Sequence, residues 1–423
     1  MTEPERLNAV LMRDAPAAAR CLSELARRAA FPRGIPFQSV EAKNTEYNAS
    51  IGQLTDGHGR GLPLEAMSNA VPGLDPAISF LYAPQEGHAP LREAWGLRQR
   101  KASLGSSAVA ALPMVVHGLT QAVSLVADTF ADAETDVLIP DPCWENYELL
   151  FEFRPRANLI RYPFFKADGS GFDVDGFAAA VSKLRRKAVI VINFPANPTG
   201  YTPTVEESRA IVDILVAHKG PAVVLFDDAY QGLVFESGLA PRSLYWDVAE
   251  RCDPERLFPI KADGATKELF FFGGRIAFLS GHVAGEAEVA LLSKLKCIAR
   301  STVGVASGPS QALVLAALRA PDLDVQTRAR VTLLGTRYRA LKAALDVLPK
   351  DRARVWPFNS GVFALVGLDP RIDAEALRKR LITDFSVGTI SIPSVNALRV
   401  AYCSVEASAL EELGNRLGRA IGS

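Results

Sequence analysis

Val189-Ile190-Val191-Ile192-Asn193-Phe194-Pro195-Ala196-Asn197-Pro198-Thr199-Gly200 reads as a buried strand that runs straight into two Asn/Pro steps. Four β-branched residues in a row suit a strand covered on both faces. Each X-Pro step holds the backbone extended, so the loop that leaves the strand is rigid. A rigid loop lets Asn197 donate a hydrogen bond to a ligand oxygen without an ordering cost.

The same arrangement recurs on either side. In Val223-Val224-Leu225-Phe226-Asp227-Asp228-Ala229-Tyr230-Gln231-Gly232, Asp227 closes an apolar strand. A carboxylate there is partly buried and needs a partner. A protonated pyridine nitrogen would serve, and Tyr230 could reach the neighbouring ring oxygen. Strand-ending aspartates also cap helices, a reading that stays open for Asp228. Val115-Val116-His117-Gly118-Leu119-Thr120-Gln121-Ala122 turns through glycine from a strand into an apolar helix, which aims backbone N–H groups at an anion. Trp144, in Asp141-Pro142-Cys143-Trp144-Glu145-Asn146-Tyr147, follows the strand-like Val137-Leu138-Ile139. It is either a core residue or an indole stacked on a flat ring. Lys267, in Asp263-Gly264-Ala265-Thr266-Lys267, precedes Phe270-Phe271-Phe272 and Arg275. Burial would lower the pKa of such an amine and free its lone pair for attack on an aldehyde.

Short apolar runs at 113–117, 136–140, 188–193, 222–226, 257–260 and 276–280 alternate with helical patterns. The alternation predicts an α/β fold with a mostly parallel sheet covered by helices on both faces. The expected large domain covers 61–325. Residues 1–60, with a helix-like stretch from Ala17 to Ala29, and 326–423 together are expected to form a smaller α+β domain. Lysine plus arginine and aspartate plus glutamate number 47 each, which removes the electrostatic case for nucleic acid or an anionic membrane. The 5 cysteines lack CxxC spacing, as in a reducing compartment, and the 5 histidines form no metal-spaced cluster, so no metal is expected. The charged N-terminus has no apolar signal core and no apolar run reaches membrane length, which points to a soluble cytoplasmic protein.

Asn-x-Pro-x-Asn-Pro-Thr-Gly, Asp-x-Ala-Tyr and Thr-Lys with an arginine eight residues on resemble the fold-type-I pyridoxal-phosphate aminotransferases, classes I and II. The resemblance runs from about Tyr82 to Arg399. It implies a seven-stranded-type sheet, pyridoxal 5'-phosphate as cofactor, and ping-pong transfer of an amino group between an L-amino acid and a 2-oxo acid. By the same resemblance Lys267 matches the internal-aldimine lysine, Asp227 the partner of the pyridine nitrogen, and Tyr230 and Asn197 the pair at the phenolate oxygen. Trp144 matches the aromatic residue on the ring. The Leu119 and Thr120 amides, Thr266 and Arg275 match the phosphate clamp, and Tyr82 the tyrosine that reaches the phosphate of a neighbouring subunit, which implies a homodimer with shared sites. Arg399 matches the arginine that grips the substrate α-carboxylate, and Gly52 a glycine on a segment covering the substrate. Arg300 falls near an arginine of dicarboxylate-specific relatives, and reads either as a ligand for an acidic side chain or as a helix-end residue. Phe363 reads as core or as pocket lining. Gly264 departs from the pattern, standing where many relatives have a serine. Two other readings remain: a pyridoxal-phosphate lyase or decarboxylase on the same scaffold, and a ligand-sensing aminotransferase-like domain.

Overall fold

The computed structural model describes residues 1–423. The six apolar runs and one further segment assemble into one seven-stranded sheet. Its strands are β1 Met114–Val116, β2 Asp136–Asp141, β3 Asn158–Pro163, β4 Ala188–Ile192, β5 Ala222–Asp227, β6 Leu257–Asp263 and β7 Ala277–Gly281, in spatial order β1-β7-β6-β5-β4-β2-β3. Strands β6, β5, β4, β2 and β3 pair in parallel, while β7 runs antiparallel to both β6 and β1.

Alternation along β4 explains its unbroken apolar sequence. Val189 and Val191 face one core cluster with Leu119, Val123 and Val126 of the helix Gly118–Phe130. Ile190 and Ile192 face the other, with Phe177, Ile211 and Leu215 of the helices Val174–Val181 and Val205–Val216. Period-two side chains and two covered faces leave no position for a polar residue. Each of the six expected runs falls on a strand. The seventh, β3, shows no apolar run because the core covers little of it: only Tyr162 of its six residues is buried.

A second, antiparallel sheet follows in the sequence: β8 Ala353–Val355, β9 Phe363–Leu368, β10 Ile390–Ile392 and β11 Ala397–Ala401, in order β10-β11-β9-β8. The helices Leu323–Ala344, Ala374–Phe385 and Leu410–Gly422 cover it through Tyr338, Leu341, Leu377, Leu381, Leu413 and Leu417. Tyr47–Asn48 pairs in parallel with Val387–Gly388, so the N-terminal segment joins this layer.

Two local expectations require correction. The single helix expected from Ala17 to Ala29 is two, Pro16–Cys21 and Glu24–Arg28. Ser23 divides them because its Oγ accepts from Ala26 N (3.1 Å), starting a new helix. Asp228 does not cap a helix; it pairs with Lys261. A helix that the periodicity did not announce, Glu3–Asp14, opens with a capping box between Thr2 and Glu5. No helix is long and apolar enough to cross a membrane.

Candidate active site

Open parallel sheets bind ligands outside the carboxyl ends of their strands. Here β2, β4, β5 and β6 deliver Trp144, Asn193 and Asn197, Asp227 and Lys267 to that edge. All of them line one cavity of about 150 Å³, together with Leu119, Thr120, Ala229, Tyr230 and Arg275. A crevice of about 760 Å³ lined by Tyr201, Trp356 and Phe358 is larger, but its lysines, Lys342 and Lys350, are exposed. The chemistry therefore marks the smaller cavity.

At one end of the cavity the chain turns through Gly118, at φ 75°, into the helix Gly118–Phe130. No side chain caps this helix, which leaves the amides of its first turn and its positive end for an anion. A Cβ on Gly118 would lie 2.8 Å from Arg275 Nη2, so the guanidinium rests directly against the turn. Thr266 is buried with its hydroxyl 3.5 Å from the Ile276 carbonyl. Gly264 has a packing reason: a Cβ there would meet Ala277 Cα and Ile276 O at 2.8 Å each. A serine cannot be placed at 264 without moving β7.

At the centre, Lys267 borders the cavity on the short helix Ala265–Glu268, with Nζ 5.4 Å from the centre of the Tyr230 ring. Burial lowers its pKa from 10.5 to about 8; Asp227 opposes this shift and Arg275 adds to it. Asp227 is 3% exposed. Burial raises its pKa, while a hydrogen bond from Tyr147 Oη to Oδ2 (2.6 Å) and the charge of Lys267 work in the other direction. Asn193 Nδ2 donates to the Asp227 carbonyl (2.7 Å) and its Oδ1 accepts from Asn197 N (3.0 Å), which ties the β4 loop to the end of β5.

At the far end Arg399, on β11, reaches the cavity loop from the second sheet. Its Nη1 donates to Asn197 Oδ1 (3.1 Å), its Nη2 to the Ser50 carbonyl (2.9 Å), and its guanidinium stacks 4.2 Å from the Phe363 ring centre. Nε has no partner, and burial lowers the pKa to about 10. Because Arg399 engages the amide oxygen of Asn197, Nδ2 remains to donate elsewhere. Gly52 packs on the same ring, where a Cβ would lie 2.6 Å from Phe363 Cζ. Glu145 accepts from Ile35 N (2.9 Å to Oε1) and so fastens the N-terminal segment beside Trp144.

Lys267, Asp227, Tyr230, Asn197, Trp144, Arg275, Leu119 and Thr120 thus share one cavity, and Arg399, Phe363 and Gly52 close one side of it. Thr266 is buried next to Lys267 without lining the cavity, and two expected residues lie outside the site altogether. Tyr82 is 96% exposed, and Arg300 is exposed at the end of the helix Gly285–Arg300. The sequence pattern alone gives no role to Tyr147 or Asn193. The available signals were the spacing of Tyr147, three residues after Trp144, and the first asparagine of the Asn-x-Pro-x-Asn string.

The arrangement suits pyridoxal 5'-phosphate. An uncapped helix end and a guanidinium that faces no carboxylate fit a phosphate; a desolvated amine fits an aldehyde, and a buried carboxylate fits a ring nitrogen. Fold and site together define a pyridoxal-phosphate enzyme of fold type I. The sequence model of the family described as aminotransferase class I and II matches residues 46–417, and the chain belongs to that family. It is a pyridoxal-phosphate-dependent aminotransferase, an enzyme that transfers amino groups. The cytoplasmic aspartate aminotransferase of Saccharomyces cerevisiae is 26% identical over 311 residues, 70% of this chain and 72% of that protein. The 2-aminoadipate transaminase of Thermus thermophilus is 26% identical over 356 residues, 81% of this chain and 82% of that one. The solved kynurenine aminotransferase of Pyrococcus horikoshii, in complex with PMP, superposes with a TM-score of 0.81 at 18% identity, over 97% of this chain and 98% of that chain. That likeness bears on the fold.

Proposed function

We propose that the enzyme moves the amino group of an L-amino acid to a 2-oxo acid in ping-pong order, with Lys267 as the residue that holds the cofactor and moves the proton. The observation that carries this reading is a desolvated Lys267 amine in one cavity with buried Asp227, while Arg399 enters from the opposite sheet. Pyridoxal phosphate, when bound, would supply the electron sink for removal of the substrate's α-proton. Lys267 Nζ, its pKa lowered to about 8 by burial, would hold the cofactor and accept the substrate's α-proton. Asp227 would keep a proton on the ring nitrogen, and Tyr147 keeps Asp227 aimed. Asn197 Nδ2 and Tyr230 Oη would donate to the ring oxygen. Arg275, Thr266 and the Leu119 and Thr120 amides would hold the phosphate. Arg399 would bind the substrate carboxylate as a fork, Gly52 lies on the segment packed against Phe363 beside it, and Trp144 would stack on the ring.

The reading extends to assembly. Phe80, Leu81 and Tyr82 are 83%, 67% and 96% exposed in sequence, an apolar stretch that a partner surface would cover. A homodimer in which Tyr82 reaches the neighbouring phosphate accounts for it. The two sheets support a large domain at 61–325 and a smaller one from 1–60 and 326–423, with Lys267 and Arg399 in different domains and closure on substrate. The free state of all five cysteines supports a cytoplasmic location.

Adding a panel of amino acids to the purified enzyme and following its visible spectrum tests the reading. Conversion of the cofactor band without a second substrate, followed by its return on adding a 2-oxo acid, is the expected result. Release of ammonia and pyruvate with no oxo-acid requirement would replace transamination with elimination.

Two substitutions refine the roles. Tyr147→Phe removes the hydrogen bond to buried Asp227, and kcat is expected to fall about tenfold while the fold is kept. Unchanged kcat would remove Tyr147 from the machinery. Arg300, read either as a ligand for an acidic side chain across the dimer or as a helix-end residue, gives a specificity test of the first reading. Arg300→Ala is expected to lower kcat/KM for aspartate and glutamate about 10- to 100-fold, while leucine and phenylalanine stay within about twofold. Equal loss with all four substrates would return Arg300 to the helix surface.

A further inference from the structure

Lys261 interrupts the apolar run of β6, yet it is only 3% exposed. Its Nζ lies 2.8 Å from Asp228 Oδ2 and 2.7 Å from Asp263 Oδ2. These carboxylates are 3% and 2% exposed, and both have further donors. Ser243 Oγ donates to Asp228 (2.6 Å), and Trp95 Nε1 (2.8 Å) and Gln99 Nε2 (3.1 Å) donate to Asp263. Burial works against the charge on Lys261, but the two carboxylates outweigh it and raise its pKa.

An ammonium buried between two carboxylates desolvates three ions, and in general such a cluster adds no more stability than a well-packed apolar one. Its position indicates another use. Asp228 directly follows Asp227, the residue assigned to the ring nitrogen. Asp263 ends β6, four residues before Lys267. Strands β5 and β6 are parallel neighbours with Asp227 opposite Ala262, so both leave the sheet at one level. Lys261 therefore bridges the two strand ends that carry the site's carboxylate and amine. Between Asp263 and Lys267, Gly264 packs against the β7 backbone, which passes the restraint on with little slack. Glu268, next to Lys267, is held from the other side by Arg98 (3.2 Å).

We propose that Lys261 is a positioning residue of the reaction: by clasping Asp228 and Asp263 it sets the placement of Asp227 relative to Lys267. The proposal rests on the roles given to those two residues under the proposed function.

The test uses the full-length enzyme loaded with pyridoxal phosphate. The triple variant Lys261→Met, Asp228→Asn, Asp263→Asn leaves no buried ion unpaired, and the introduced amides keep oxygens for Ser243, Trp95 and Gln99. It is expected to fold and to melt near the wild type. Its kcat should fall about 10- to 100-fold with KM within about twofold, because misplacement by a fraction of an ångström to one ångström costs rates of that order. The pH midpoint of its visible absorbance band should shift by more than about half a unit, since the surroundings of the Lys267 nitrogen that holds the cofactor have moved. Lys261→Met alone, with two carboxylates left unpaired, should show the same loss and a lower melting temperature. A folded triple variant with wild-type kcat and midpoint would overturn the proposal. So would a triple variant that fails to fold, which would assign the cluster to stability. Failure of the underlying reading is distinguishable, because it would appear as wild-type turnover in Lys267→Ala with the Lys261 cluster intact.

Discussion

Lys267→Ala is expected to reduce kcat by about 1,000- to 10,000-fold, the range associated with a positioned acid–base group. No other amine lines the cavity to take over the proton transfer. The variant should still fold, because the lost side chain borders a cavity rather than filling a core. Single-turnover rates with the best amino acid measure the effect, and a rate within about tenfold of wild type would reject the assignment. A second readout needs no activity. In the cofactor-free protein the folded-state pKa of Lys267 is about 8 against 10.5 for a free lysine. Between these values the unfolded chain binds more protons than the folded one, so stability rises as pH increases through the window. Wild-type cofactor-free protein should therefore gain on the order of 2 kcal/mol of unfolding free energy from this group between about pH 8 and 10.5. Lys267→Ala should lack that gain, and identical pH profiles for the two proteins would contradict the buried amine.

Asp227→Asn is expected to lower kcat by about 100- to 10,000-fold while preserving the fold, since an amide cannot keep the ring nitrogen protonated. The cavity offers no second carboxylate: its remaining polar lining is Asn193, Asn197, Thr120, Tyr230, Lys267 and Arg275. Near-wild-type turnover would remove Asp227 from its role. The stability prediction has the opposite sign to that for a salt-bridged carboxylate. Burial holds the folded-state pKa of Asp227 above its ordinary 3.8. Just above 3.8 the folded protein then binds more protons than the unfolded chain, so stability falls as pH rises and the deficit persists at neutral pH. Cofactor-free Asp227→Asn should consequently melt no lower than wild type at pH 7. A marked drop in melting temperature would mean that Tyr147 stabilises the charged carboxylate more than burial penalises it.

Much of the fold was legible because strands covered on both faces leave a strong local mark. The runs that became β4 and β5 have no polar residue before their ends, and the loops after them carry the Asn-Pro and Asp-x-Ala-Tyr strings. Strand β3 escaped because its faces are mostly uncovered, with only Tyr162 buried, and the break at Ser23 escaped because a cap depends on a single hydroxyl. In the site, Lys267, Asp227, Asn197 and Arg399 could be picked out from motifs. Tyr147 could not be given a role, because its partner Asp227 is 80 residues away in sequence.

Asp227 and Asp228 mark the boundary between the two kinds of information. Local pattern places both at the end of an apolar strand and suffices to say that buried carboxylates there need partners. It does not say which partner each receives. Successive side chains of a strand point to opposite sides. One carboxylate therefore accepts from Tyr147 beside the cavity and the other clasps Lys261 away from it. Hydrogen bonds and ion pairs form only within about 3–4 Å. That proximity comes from the register of β5 against β6 and from the packing of a second sheet that brings Arg399 to Asn197, contacts spanning 33 to 202 residues of chain that no local period can encode.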